Sequence, residues 1–337
     1  MRTGVCCFTW LLFAIGLSGA QPAGTNSDER ATVIVIVGAA GEEKYGKAFA
    51  QWAENWRKAS EQGGAKYIAI GLDKHDTTND LARLEKVLDE EPKASSAELW
   101  LVLIGHGTFD GQEAKFNLRG PDLSATGLAA WVKDFQRPMA IINTASASGP
   151  FLTKLSAPGR VVITATRSGY EQNYARFGQY LSEAIVNPEA DLDKDGQTSL
   201  LEAFLSASQH VAEFYKAESR LATEHALLDD NGDGLGTPAD FFHGIRAVKK
   251  AREGAALDGL RAHQFHLVRS KEEQALPAQV RIRRDELELE IARLRDSKSM
   301  VPEDEYYRRL EVLFVELARL YETNAPTSRA EHERQGK

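Results

Sequence analysis

The sequence predicts an α/β protein, a mostly parallel sheet flanked by helices on both faces, followed by a C-terminal α-helical hairpin. Three observations predict it. From residue 31 to about 185, short aliphatic runs alternate with longer stretches whose apolar residues recur every three or four positions. The runs are continuously apolar, as strands covered on both faces must be. Beyond residue 275 two amphipathic helical patterns follow one another.

"ATVIVIVG" (31–38) is the first strand. Tyr45, Phe49, Trp52 and Trp56 mark a core-facing helix over 43–60. "KYIAIG" (66–71) is the second strand, and Leu81, Leu84, Val87 and Leu88 mark the second helix. "ELWLVLIG" (98–105), a helix over 123–135, "MAIINT" (139–144) and "RVVITAT" (160–166) continue the alternation. Helices are expected near 200–218 and 238–253, closing a main domain over 31–253. In the hairpin (276–322), one helix carries Ile282, Leu287, Leu289, Ile291 and Leu294. The other follows Pro302, a residue suited to a first helical turn, and carries Leu310, Leu313, Phe314, Leu317, Leu320 and Tyr321. The hairpin is a candidate docking or oligomerising element, and 323–337 reads as a tail.

At the other end, Arg2 precedes "VCCFTWLLFAIGL", with Ser18 and Ala20 at the −3 and −1 positions of a cleavage site. This is the pattern of a secretory signal (1–20), followed by a polar linker (21–30). The expectation is a secreted or periplasmic protein with no stable membrane anchor after cleavage. Both cysteines, Cys6 and Cys7, fall inside that segment. A processed chain has no disulfide, no thiolate zinc site and no cysteine nucleophile. A net charge of −8 argues against nucleic acid as a partner.

In parallel sheets the ligand site lies beyond the carboxyl ends of the strands. Here those ends are Gly38-Ala39-Ala40-Gly41, Gly105-His106-Gly107, Thr144 to Ser148, and Thr166-Arg167-Ser168-Gly169. His106 sits between glycines that leave its ring unshielded and let backbone N–H groups approach a substrate. Ser146 on the next strand end supplies a hydroxyl, and a histidine beside a nucleophile is a workable acyl-transfer pair.

"LIGHG" and "INTASASG" resemble the legumain-like cysteine peptidases of the wider caspase–hemoglobinase group, whose strands end in His-Gly and in Ala-Cys-Glu-Ser-Gly. The similarity covers about residues 31–245 and includes "VVITATRSGYEQNYARFGQYL" (161–181). It implies a caspase/legumain-like fold acting on peptide or protein. His106 takes the place of the general base and Ser146 that of the cysteine. Gly105 and Gly107 fall at the oxyanion position, and Thr144, Ser148, Arg167, Ser168 and Glu171 at the substrate pocket. The chain departs from the family at the nucleophile, at Thr144 where an acidic residue is usual, and at Ala40 where an asparagine is usual. Asparagine specificity therefore does not carry over. A hydroxyl is far less acidic than a thiol, and hydrolases that use one pair it with a histidine oriented by a carboxylate. Two readings stay open: a Ser146/His106 hydrolase, and a pseudopeptidase that binds peptides or serves as a scaffold without cutting.

"DLDKDGQTSLLE" (191–202) fits a twelve-residue calcium loop. Asp191, Asp193 and Asp195 stand at positions 1, 3 and 5, Gly196 at the turn, Gln197 at the backbone-carbonyl position and Glu202 at the bidentate position. "DDNGDGLGTPAD" (229–240) repeats the register more weakly with Asp229, Asn231, Asp233 and Asp240. Its alternative is an Asx-turn loop without metal. Ca2+ is the expected cofactor, as a brace rather than a sensor. Glu224 and His225 in "TEHALLDD" have two readings, an approach to the cleft and, favoured, a capping or structural role.

Overall fold

The computed structural model describes residues 30–73, 79–253 and 255–324. The expected signal peptide, the linker up to residue 29 and the tail beyond residue 324 lie outside the described residues.

The chain runs β1 (Thr32–Val37), α1 (Glu43–Gln62), β2 (Lys66–Ile70), α2 (Asp80–Glu90) and β3 (Leu99–Ile104). A small antiparallel sheet follows, β4 (Gly107–Phe109), β5 (Ala114–Phe116) and β6 (Leu123–Ser124), leading into α3 (Ala125–Val132). Next come β7 (Met139–Asn143), α4 (Gly149–Leu155), β8 (Arg160–Thr164), α5 (Phe177–Ala184), α6 (Leu200–Ala217) and β9 (Leu227–Asp229). After them stand β10 (Phe242–His243), β11 (Arg246–Ala247), the short α7 (Leu260–Gln264) and α8 (Lys271–Ala275), and the long α9 (Ala278–Asp296) and α10 (Glu303–Asn324).

The main sheet has the order β2-β1-β3-β7-β8-β9, parallel except for β9, which runs antiparallel to β8. Successive side chains of a strand point to opposite faces, which explains the unbroken apolar runs. Val33, Val35, Trp100, Val102, Ala140 and Ile142 face one layer with Phe49, Trp52, Trp56 and Phe204. Ile34, Ile36, Leu101, Leu103 and Ile141 face the other, with Leu84, Leu88, Leu128 and Phe151. Both faces are covered, as the sequence predicts, and Trp52 and Trp56 are core residues.

The expected helix over 238–253 does not form. Phe241, Ile245 and Val248 have helical spacing, but Gly244 takes φ +58, in the left-handed region. The stretch becomes a 3-10 turn at Ala239–Phe241 and a hairpin pairing Phe242 with Ala247.

The segment after residue 254, left between domain and hairpin by the sequence pattern, belongs to the core. Ala262, Phe265 and Leu267 are buried, and the Phe265 ring meets Trp100 edge-on at 5.6 Å. Asp230, buried, anchors it by accepting from the N–H groups of Gly259 (3.0 Å) and Ala262 (2.7 Å). α9 joins this segment through Gln264 Nε2, which donates to Asp285 O at 2.9 Å, and through the Arg284–Glu273 ion pair. α10 lies against α9. Among the described residues no helix is long and apolar enough to cross a membrane.

Candidate functional site

Strand order reverses at β1, which lies between β2 and β3. The crevice beyond their carboxyl ends is where such a sheet takes a ligand, and it is flanked by Gly38 and Gly105. Here it is filled from within. Ala39 N donates to Asn117 O at 2.9 Å, and a Cβ on Gly38 would stand 2.4 Å from that same oxygen. Gly105 is buried against the Phe116 ring, which a Cβ would meet at 3.0 Å.

The His106 ring packs edge-on against Tyr45 (4.9 Å between centroids) and Phe49 (5.1 Å). Nε2 lies 3.3 Å from Ala40 O. A carbonyl only accepts, so Nε2 carries the proton and Nδ1 holds the lone pair. Burial pushes the imidazole below its ordinary range, against the opposing pull of the Ala40 carbonyl and Glu42. The ring is thus a neutral base at pH 7.

Ser146 is buried at 4% exposure. Its Oγ donates to Gly107 O at 3.1 Å and accepts from Gly107 N at 3.2 Å. The hydroxyl therefore ties the end of β7 to the first residue of β4. The same close approach places a Cβ on Gly107 only 2.2 Å from Ser146 O, so position 107 has to be glycine. The structure brings His106 and Ser146 to adjacent strand ends, and no hydrogen bond joins them among the described contacts. Gly107 N–H, expected at the oxyanion position, is already engaged by Ser146. Two residues on, Phe109 O accepts from Gln172 Nε2 at 3.2 Å. Alternate backbone groups of a strand share one edge, so side chains of this chain occupy the outer edge of β4 at both positions.

Residues of the expected pocket divide. Thr144 is buried beneath α5: its Oγ1 donates to Leu103 O at 2.8 Å, and a Cβ on Gly178 would meet that Oγ1 at 2.7 Å. Ser148 is buried, with Oγ 3.2 Å from Thr166 Oγ1, and Ser168 is half-buried, its carbonyl accepting from Thr166 Oγ1 at 3.1 Å. Arg167 and Glu171 reach the surface and pair at 3.1 Å. Glu171 O also accepts from Ala147 N at 2.8 Å, holding Ala147 at φ +54. That left-handed backbone is strained for a residue with a Cβ.

For His225 the less favoured sequence reading, an approach to the cleft, is the one the structure shows. Its Nδ1 lies 2.6 Å from Glu171 Oε1, and its side chain is 38% exposed. The partners are 54 residues apart, and only the Glu-His pair in "TEHALLDD" hinted at them. Glu224 is structural, as expected: it accepts from Arg176 N (2.8 Å) and Phe177 N (2.9 Å) at the start of α5. Beside them Tyr170 is 77% exposed and meets Phe109 edge-on at 5.2 Å.

In the first Asp-rich loop the donors converge. Ligand atoms of Asp191, Asp193 and Asp195 lie within 4.8 Å of one another, and so do those of Asp193, Glu202 and His263. Gly196 takes φ +90 at the turn. Asp191 Oδ1 accepts from Lys194 N at 2.7 Å, and Gln197 Nε2 donates to Asp195 Oδ2 at 3.0 Å. Glu202 is fully buried, with Oε1 accepting from Leu192 N at 2.7 Å; Ser199 forms a capping box with it at the start of α6. The oxygen-rich donor set fits a hard cation. The second loop does not gather its donors: Asp229, Asp233 and Asp240 form no such group among the described residues. Asp229 accepts from Gly232 N (3.0 Å) and Gly234 N (2.9 Å), Asn231 accepts from Asp233 N (2.8 Å), and Asp240 stands exposed in the 3-10 turn. Its side chains make Asx-turn hydrogen bonds, Asn231 with Asp233 N and Asp233 with Leu235 N.

No known family model matches this chain, and no curated protein matches its sequence. Among solved structures it is similar to the Drosophila initiator caspase Dronc, at 12% identity and a TM-score of 0.39 over 60% of this chain and 80% of that one. It is also similar to caspase-1 from Spodoptera frugiperda, at 11% identity and a TM-score of 0.38 over 60% and 87%. At these identities the likeness is one of fold outline alone, and no residue's role follows from it.

Proposed function

We propose that this chain is a secreted peptidase-fold protein that does not cut, and that it recognises a peptide or protein segment at the carboxyl edge of its sheet. One observation carries the reading. The Ser146 hydroxyl is buried and spent on both backbone groups of Gly107, where a nucleophile has to face its substrate and a base. Recognition falls to the exposed surface beside it. Tyr170 and Arg167 are residue types that dominate binding energy, and Phe109 supports Tyr170.

A fluorophosphonate probe tests the reading. Neither wild type nor Ser146→Ala should label. Labelling of wild type that disappears in Ser146→Ala overturns the proposal. A second reading is favoured by the His225–Glu171 pair, because a carboxylate that holds Nδ1–H leaves Nε2 as the base of a hydroxyl hydrolase. Labelling that survives Ser146→Ala and is lost in His225→Gln supports it. Retention of Tyr170→Ala on an immobilised peptide library, as strong as that of wild type, would count against recognition at this edge.

Calcium is proposed at 191–202 as a brace for the loop that starts α6, with Asp191, Asp193, Asp195 and Glu202 as side-chain ligands and Gln197 through its carbonyl. Export is proposed on the strength of residues 1–20, and N-terminal sequencing of the secreted protein should begin at Gln21.

A further inference from the structure

α10 is a helix of 22 residues, about 33 Å long, and one apolar stripe of it packs on α9. Tyr306, Leu310, Leu313, Leu317 and Leu320 form that stripe, Tyr306 buried and the leucines half-buried. At about 100° per residue, the flank beside that stripe also carries large apolar groups. Tyr307, Phe314 and Tyr321, seven residues apart, keep 50%, 42% and 43% exposure although Lys298 lies over the Tyr307 ring (5.5 Å) and Arg295 of α9 over the Phe314 ring (5.8 Å), and Val315, further round the helix, is 41% exposed. Scattered exposed apolar residues are ordinary, whereas three aromatics in one line along a helix make a contact surface.

The pattern of that face identifies its occupant. Tyr307-Phe314-Tyr321 reads the same in both directions about Phe314. The charged line beside it, Arg308, Glu311, Arg319 and Glu322, inverts its signs when reversed about Val315. Laid antiparallel on a copy of itself, the helix sets Tyr307 against Tyr321 and Phe314 against Phe314. One residue along, Arg308 falls beside Glu322 and Glu311 beside Arg319. A parallel copy in register would set each charge against its like, which is destabilising. Six carboxylates against three arginines on α10 also disfavour an anionic membrane surface. Exposed Ala318, between the aromatic and charged lines, permits close approach of the backbones.

We propose that α10 pairs antiparallel with α10 of a second copy of this chain, about a two-fold axis between Phe314 and Val315. The result is isologous and joins two hairpins into a four-helix arrangement.

Sedimentation of the full chain tests it by charge swapping. Arg308→Glu and Glu322→Arg should each weaken the dimer about tenfold or more, a shift of about 1.4 kcal/mol. The double variant should recover to within about threefold of wild type. Both positions are exposed, and unchanged circular dichroism certifies the fold. In a Cys6→Ser/Cys7→Ser background, Val315→Cys should form a self-disulfide on mild oxidation. A wild-type chain that is monomeric up to about 100 μM, a dimer indifferent to both reversals, or a double variant no better than the singles would each overturn the proposal.

Discussion

Replacing Ser146 by alanine separates a structural hydroxyl from a catalytic one through stability alone. The substitution removes the hydroxyl that stands 3.1 Å from Gly107 O and 3.2 Å from Gly107 N, and it leaves both backbone groups without that partner. Gly107 is itself buried, so water does not replace the hydroxyl. An intramolecular hydrogen bond contributes about 0.5–1.5 kcal/mol net, and a buried group left unsatisfied costs about 1–3 kcal/mol. Both bonds are at the long end for a hydroxyl, which places the expected loss at about 1–3 kcal/mol in total. For a domain of 150–250 residues each kcal/mol lowers Tm by about 2–4 °C. Urea denaturation followed by circular dichroism reads the same quantity as a lower midpoint at unchanged slope. Catalytic residues behave the other way, since their removal commonly leaves stability unchanged or raises it. A Ser146→Ala protein as stable as wild type would refute the reasoning and return Ser146 to the list of nucleophiles.

The remaining expectations concern the glycines, the calcium loop and pH. Gly107→Ala should cost more than about 3 kcal/mol, because the added Cβ meets backbone at 2.2 Å; Gly105→Ala, which meets the movable Phe116 ring at 3.0 Å, should cost less, and comparable losses in urea would contradict the geometry. Calcium at about a hundred times its Kd should raise stability by about 2.7 kcal/mol; Asp195→Asn should abolish the response and Asp233→Asn should leave it, as differential scanning calorimetry with and without chelator will read. His266 is buried and its imidazole is pushed down to about 3, chiefly by desolvation. Its folded value lies below the unfolded one, so its contribution is complete above pH 6.5 and declines as pH falls toward 3, by about 2 kcal/mol at pH 5. His266→Phe should flatten the stability profile between pH 6.5 and 5, and a profile as steep as wild type would exclude His266 as the cause.

Reading outward from the sequence worked where one local rule governed the residue. Unbroken runs such as "ATVIVIVG" and "ELWLVLIG" signalled strands buried on two faces, and the α/β rule placed the site at their ends. The helix expected over 238–253 fails at Gly244, whose φ of +58 leaves the helical path. The core role of Phe265 was not legible: a five-residue helix and the loop after it carry too little periodicity to signal burial. In both Asp-rich loops the candidate donors lie within twelve residues, and among the described residues only the first brings three acidic ligand atoms within 4.8 Å of one another. In both loops the same side chains also accept from loop N–H groups, so spacing alone does not separate a metal loop from an Asx-turn loop.

The sequence by itself determined the layer architecture, the small-residue strand ends and the acidic spacing of 191–202. Each is written in neighbouring residues, within the span of one element or loop. Only the tertiary structure decided what the site residues do. The direction of the Ser146 hydroxyl depends on Gly107, 39 residues away, and the orientation of His225 on Glu171, 54 residues away. Hydrogen bonds are made over about 3 Å, and spacing along a chain carries no information at that scale once the partners come from different strands and loops. Ser146 could be placed on the edge by pattern; which way its proton points was settled by packing.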